Sequence, residues 1–147
     1  MLIAPHAVTG ATIAVLFPNP AVALPLVVAS HFVLDIIPHW QEVITNDYKL
    51  TKATFFRVPV DFLLAVVFVW KIAQMHLDQF YLVWLSAVVG NAPDLDVLLT
   101  NIKPKILQVN LFRRYYDWHC RIQKETKSFV GVLTQLAIIL SCFWLVR

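Results

Sequence analysis

Five apolar runs, Leu2 to Phe17, Ala21 to Ile37, Val58 to Ala73, Phe80 to Leu99 and Phe129 to Val146, dominate this 147-residue chain. Each is 16 to 20 residues long, close to the ~20 that a helix needs to cross the hydrocarbon core of a bilayer. With 59% hydrophobic and 14% charged residues, against a soluble balance of about half and a quarter, the chain has more apolar surface than a soluble domain of this size can hide. The expected fold is all-α: an integral membrane bundle of about five transmembrane helices plus an amphipathic interfacial helix, in one domain over 1–147. The expected helices are about 2–17, 20–38, 53–75, 79–99, 104–123 (interfacial) and 127–146.

The Pro18-Asn19-Pro20 turn predicts a tight hairpin between the first two helices, with Pro20 starting the second and Pro25 kinking it. A polar loop is expected from His39 to about Lys52. Between Thr100 and Ser128, aromatic and aliphatic residues interleave with basic ones. That suits a helix lying in the interface or folding back as a lid. The opening Met-Leu-Ile-Ala-Pro-His lacks a positive n-region, so the first run is expected to belong to the mature protein. Two cysteines, Cys120 and Cys142, imply no disulfide framework.

Net charge is +3. If the helices alternate, the N-terminus and the two polar loops share one side. That side holds Lys49, Lys52, Arg57 and the seven Lys and Arg residues from Lys103 to Lys127, whereas the other holds only Lys71 and Arg147. The positive-inside rule then makes the first side cytoplasmic. The basic residues are so explained without nucleic acid as a partner, and a bacterial inner membrane is the expected location.

An acidic side chain at the centre of a membrane helix costs about 2.5 to 3.5 kcal/mol, so it needs a partner or a purpose. His31 and Asp35 are four apart and share a helix face, and His39 extends that line past Pro38. Asp94 follows the helix-breaking Pro93, with Asp96 two residues on as a second ligand or an acceptor for a histidine N–H. Asp61 is either a catalytic carboxylate or the partner of Arg57 one turn earlier. His6 opens the first helix, and His119 lies in the amphipathic segment. All eight fall near the cytoplasmic ends of their segments, whereas His76 falls on the opposite side. Imidazole and carboxylate groups at such spacing suit a divalent ion, zinc first and manganese second. The expected metal ligands are His6, His31, Asp35, His39, Asp94 and His119, with Asp61 and Asp96 as catalytic carboxylates. The small residues Ala7, Gly10, Ala11, Ala14, Ser86 and Gly90 are read as close helix packing.

The His-x-x-x-Gly opening at His6, the Ser-His-x-x-x-Asp-x-x-Pro-His run from Ser30 and the Pro-Asp-Leu-Asp helix end at Pro93 together resemble the YdjM-like group. These are small integral-membrane proteins classed as metal-dependent hydrolases. His31, Phe32, Asp35, Pro38 and His39 also resemble a fragment of the zinc-dependent phospholipase C signature, whose His and Asp residues bind zinc. His119 and Gln123 would match a later His-x-x-x-Glu pair, with an amide where that pair has an acid.

The resemblance implies hydrolysis of a phosphoester or lipid-like substrate at the cytoplasmic face. The basic segment from Arg113 to Lys127 would attract an anionic amphiphile among the membrane lipids. A non-enzymatic protein, whose polar cluster binds a metal or proton or only ties helices together, is the alternative.

Overall fold

Asn19 shows how the sequence sets its first turn: its side chain accepts a hydrogen bond from Ala21 N–H at 2.9 Å, capping the helix that Pro20 begins. In the computed structural model, which describes residues 1–40 and 52–147 with side chains from 56 onward in the second stretch, seven α-helices follow in order. They are α1 (Ile3–Leu16), α2 (Pro20–Ile36), α3 (Lys52–Met75), α4 (Phe80–Gly90), α5 (Leu95–Ile102), α6 (Asn110–Ile122) and α7 (Ser128–Leu145). Of the expected polar loop from His39 to about Lys52, residues 41–51, Lys49 included, lie outside the described residues. No strand forms among the described residues; a single bridge joins His39 to Glu125.

Helix α1 is the axis of the bundle, touching α2, α3, α4 and α7. Its small residues allow this. Ala4, Ala7, Gly10, Ala11 and Ala14 are buried, and a Cβ on Gly10 would stand 2.5 Å from the Ser86 carbonyl oxygen of α4. Gly90 meets the backbone of His6 in the same way, at 2.9 Å. Such approach gives helices in lipid the contact area that the hydrophobic effect does not supply there.

The inner half of the bundle away from α6 is apolar, with Val8, Val69, Ile72 and Val83 buried together. The outside is apolar too: Phe62, Leu63, Val67, Trp70, Leu140 and Trp144 are all exposed on helix faces. Water does not tolerate such a belt, and lipid requires it. Three helical stretches are long and apolar enough to cross a membrane, Phe56–Met75, Leu77–Ile102 and Ser128–Leu145. The five expected spans thus become three of full length plus two shorter apolar helices. With 14 and 17 residues, α1 and α2 reach only about 21 and 26 Å at ~1.5 Å per residue, against a core of ~30 Å.

The long fourth run is interrupted. Pro93 cannot continue α4, and a short 3-10 turn over Ala92–Asp94 re-aims the chain into α5. After α6 the chain returns to the end of α2. Lys124 N–H donates to the Asp35 carbonyl at 3.0 Å, His39 N–H to the Lys124 carbonyl at 3.0 Å, and Thr126 N–H to the His39 carbonyl at 2.9 Å. This strap holds the inner face of α6, Tyr116 and His119, against the bundle. Of the two arrangements open for the amphipathic segment, the structure shows it folded over the end of α2.

Candidate metal centre

His31 and Asp35 stand one turn apart on α2, with His31 Nε2 3.2 Å from Asp35 Oδ2. His119 reaches the same oxygen from α6, its Nε2 at 3.1 Å. The two imidazole Nε2 atoms are 3.3 Å apart. Asp94, at the α4–α5 break, places Oδ1 3.6 Å from His31 Nε2 and 3.9 Å from His119 Nε2. The four residues offer ligand atoms that all lie within 4.8 Å of one another. For bonds of about 2.1 Å, the edge of a tetrahedron is about 3.4 Å, so five of its six edges are within about 0.5 Å of that length.

Each histidine is aimed by its other nitrogen. His31 Nδ1–H donates to the Gly90 carbonyl at 2.7 Å. That carbonyl is available because the turn after α4 diverts its usual partner: Asp94 N–H bonds to Asn91 instead, at 3.2 Å. The break at Pro93 therefore supplies Asp94 and also frees the acceptor that orients His31. His119 Nδ1–H donates to Asp96 Oδ2 at 2.8 Å, and Asp96 Oδ1 accepts from Val97 N–H at 2.6 Å. With Nδ1 protonated in both rings, the Nε2 atoms face the centre, the arrangement by which outer partners orient metal-binding imidazoles.

The surroundings exclude water on the membrane side. The side chains of His31, Asp35 and His119 are fully buried, whereas Asp94 keeps 29% exposure. Phe32 stands edge-on to both rings, with centroids 5.3 Å from His31 and 5.7 Å from His119, and Tyr115 flanks His119 at 5.8 Å. Burial opposes charge on His119, but its hydrogen bonds to Asp35 and Asp96 outweigh this and push its pKa up to about 9. In the metal-free protein at neutral pH, a proton on His119 supplies the positive charge that the carboxylates attract.

The remaining expected site residues separate. His6 is buried beside the group, its ring stacked on His31 with centroids 4.0 Å apart. Asp96 reaches the four through His119. His39 is outside the group of four: its Nδ1–H donates to the Ile37 carbonyl at 2.8 Å, and its backbone forms the strap. Asp61 faces the start of α1, accepting from Ile3 N–H at 2.6 Å and Ala4 N–H at 3.3 Å. It caps a helix whose own sequence offers no capping side chain. Arg57 lies over the Trp40 ring, 5.5 Å from its centroid. His76 lies at the far end of the bundle, where its Nε2–H donates to the Val146 carbonyl at 2.8 Å.

Replacing Asp61 with alanine is expected to lower stability by about 1–2 kcal/mol, as for a lost cap, while metal content stays at the wild-type level. Thermal unfolding in detergent alongside metal analysis checks this; a stable variant with reduced metal would place Asp61 in the centre.

Two features escaped the sequence reading. The Gly90 carbonyl is a backbone group that no side-chain pattern reveals. Gln135 is a buried amide in α7 that accepts from Leu2 N–H at 3.1 Å and donates to the Trp40 carbonyl at 2.8 Å. The cost of a polar side chain in an apolar run pointed to Gln135 as it did to Asp35. Comparisons with family models, curated proteins and solved structures find no match.

Proposed function

We propose that this chain is a membrane-embedded, metal-dependent hydrolase whose centre, with zinc as first choice and manganese as second, acts on an anionic phosphoester amphiphile at the cytoplasmic face. One observation carries the reading: two outer-oriented Nε2 atoms and two carboxylates converge with near-tetrahedral edges. In this reading all five apolar helices lie in the bilayer, α1 and α2 as a short hairpin shielded by the rest, and the basic residues from Lys103 to Lys127 face the cytoplasm. The motif resemblance to YdjM-like proteins and to zinc-dependent phospholipase C supports the same chemistry.

His31, His119 and Asp35 are the holding residues, a two-histidine, one-carboxylate set of the kind catalytic zinc uses. A bound divalent ion supplies a water of lowered pKa and polarises a phosphoryl oxygen. Asp94, the half-buried and most distant corner, would accept a proton from a water held there. The aromatic wall of Phe32 and Tyr115 keeps competing water away, and Arg113, Arg114 and Arg121, all exposed, draw the anionic substrate to the surface.

The test uses the full chain in detergent micelles, loaded with zinc or stripped by chelator, against bis(p-nitrophenyl) phosphate and a short-chain phospholipid. Metal-dependent turnover is expected, and Asp94→Asn is expected to lose about 10²-fold or more in kcat with its metal retained. Loaded protein that hydrolyses neither substrate above the stripped control would overturn the hydrolase.

A second reading has its own support in the proton on His119. That proton alone can tie α2, α5 and α6 together through Asp35 and Asp96, giving a structural ion-pair network without metal. A folded wild type that retains no transition metal after incubation with zinc or manganese selects this reading.

A further inference from the structure

Asp35 presents two separate coordination faces. Its Oδ2 belongs to the centre described above, at 3.2 Å from His31 Nε2 and 3.1 Å from His119 Nε2. Its Oδ1 points the other way, toward His6 Nε2 at 3.3 Å, and accepts from the N-terminal ammonium of Met1 at 2.7 Å in a buried ion pair.

His6 is the anomaly. The residue is 1% exposed, and neither ring nitrogen has a hydrogen-bond partner. Nε2 is near Asp35 Oδ1 but not aligned for a hydrogen bond. A buried polar atom left unsatisfied is costly, and this ring has two. It is also rigidly held. The backbone of His6 packs on Gly90, and its ring lies nearly parallel to His31, at 19° and 4.0 Å between centroids. The stacked rings direct their Nε2 atoms at the same carboxylate, His31 to one oxygen and His6 to the other. Ions that share a bridging carboxylate in two-metal sites stand about 3.5–4 Å apart, the same spacing as these rings.

We infer that the centre takes a second divalent ion, held between His6 Nε2 and Asp35 Oδ1, with Asp35 bridging the pair. This rests on the metal-centre reading above and deepens it from one ion to two. An imidazole and a carboxylate oxygen suit zinc or manganese. Two protein ligands, against three for the first ion, and competition with the Met1 ammonium for Asp35 Oδ1 make the second the weaker one, with water completing its coordination. In a two-ion centre the attacking and leaving oxygens of a phosphoester are both stabilised, which fits phosphoester hydrolysis better than a one-ion site.

Equilibrium dialysis of the full chain in detergent against zinc alone tests this. Wild type is expected to bind two ions, the second at least about tenfold more weakly. His6→Phe, which keeps a flat ring for stacking but has no nitrogen, and His6→Ala are expected to bind one, with the tight Kd changed less than about threefold. Manganese loading gives a readout that needs no variant: at two equivalents wild type is expected to show the electron paramagnetic resonance signal of a spin-coupled pair. One ion in wild type and variants alike, two ions in His6→Phe, or an uncoupled signal at two equivalents overturns the second ion and leaves the first standing. No ion in folded wild type overturns the centre as a whole.

Discussion

Alanine at Asp35 is expected to abolish tight metal binding. Among the described residues, Asp35 is the carboxylate paired with His6, His31 and His119 together, and its side chain is fully buried. Removing it takes away one ligand and also the negative charge that offsets whatever cation the histidines share. Breaking a buried ion pair on one side costs about 3–5 kcal/mol, which at about 1.4 kcal/mol per decade is a loss of about 10²- to 10³-fold or more in affinity. Elemental analysis of the purified protein measures the first effect and thermal unfolding in detergent the accompanying loss of stability. Asp35→Asn separates the two, since it keeps the volume and gives up the charge. Wild-type metal content in Asp35→Ala would sink the assignment.

The centrality of Asp35 was legible from the sequence for a simple reason. On a helix, residues four apart share a face, so His31 and Asp35 are neighbours whatever the rest of the chain does. In an apolar run, each charge must also be paid for, and that cost singled out Asp94 on another helix. What spacing does not convey is which member of a crowd makes contact. His39 lies on the same extrapolated line as His31 and Asp35, but the helix ends at Ile36 and the line ends with it. Asp61 meets the same criterion of a costly carboxylate, and its cost is met by the Ile3 and Ala4 N–H groups of a different helix.

The break at Pro93 shows the limit from the other side. Sequence reading places Asp94 at a helix end; the consequence for Gly90, a carbonyl released from its helical bond to orient His31, appears only when α2 and α4 are seen side by side. The fold behaves similarly. Apolar runs give the helices and their membrane-facing surfaces, whereas the position of α1 as the axis depends on where Gly10 and Gly90 let backbones touch. The short lengths of α1 and α2, which weaken them as independent spans, are what the central position and the hairpin require.

Asp96→Asn is expected to lower metal affinity by about 10- to 100-fold, the usual effect of losing a carboxylate behind a metal-binding histidine, in a pattern that depends on pH. Asp96 acts on His119 in two opposed ways. By accepting from Nδ1–H it fixes the tautomer and makes Nε2 a stronger ligand; the same carboxylate helps push His119 up to about 9, so that below this pH a metal must displace a proton. Apparent affinity in the wild type therefore rises with pH until His119 is neutral in the metal-free protein. Asparagine removes the charge, weakening the ligand and also the competing proton. The variant's deficit should be largest near pH 9, where proton competition in the wild type has faded, and should shrink toward pH 6, where the wild type is held back more than the variant. Zinc competition titrations at several pH values measure this. A deficit that stays constant across the range would mean that Asp96 does not act through the protonation of His119, and no deficit at pH 9 would remove it from the centre.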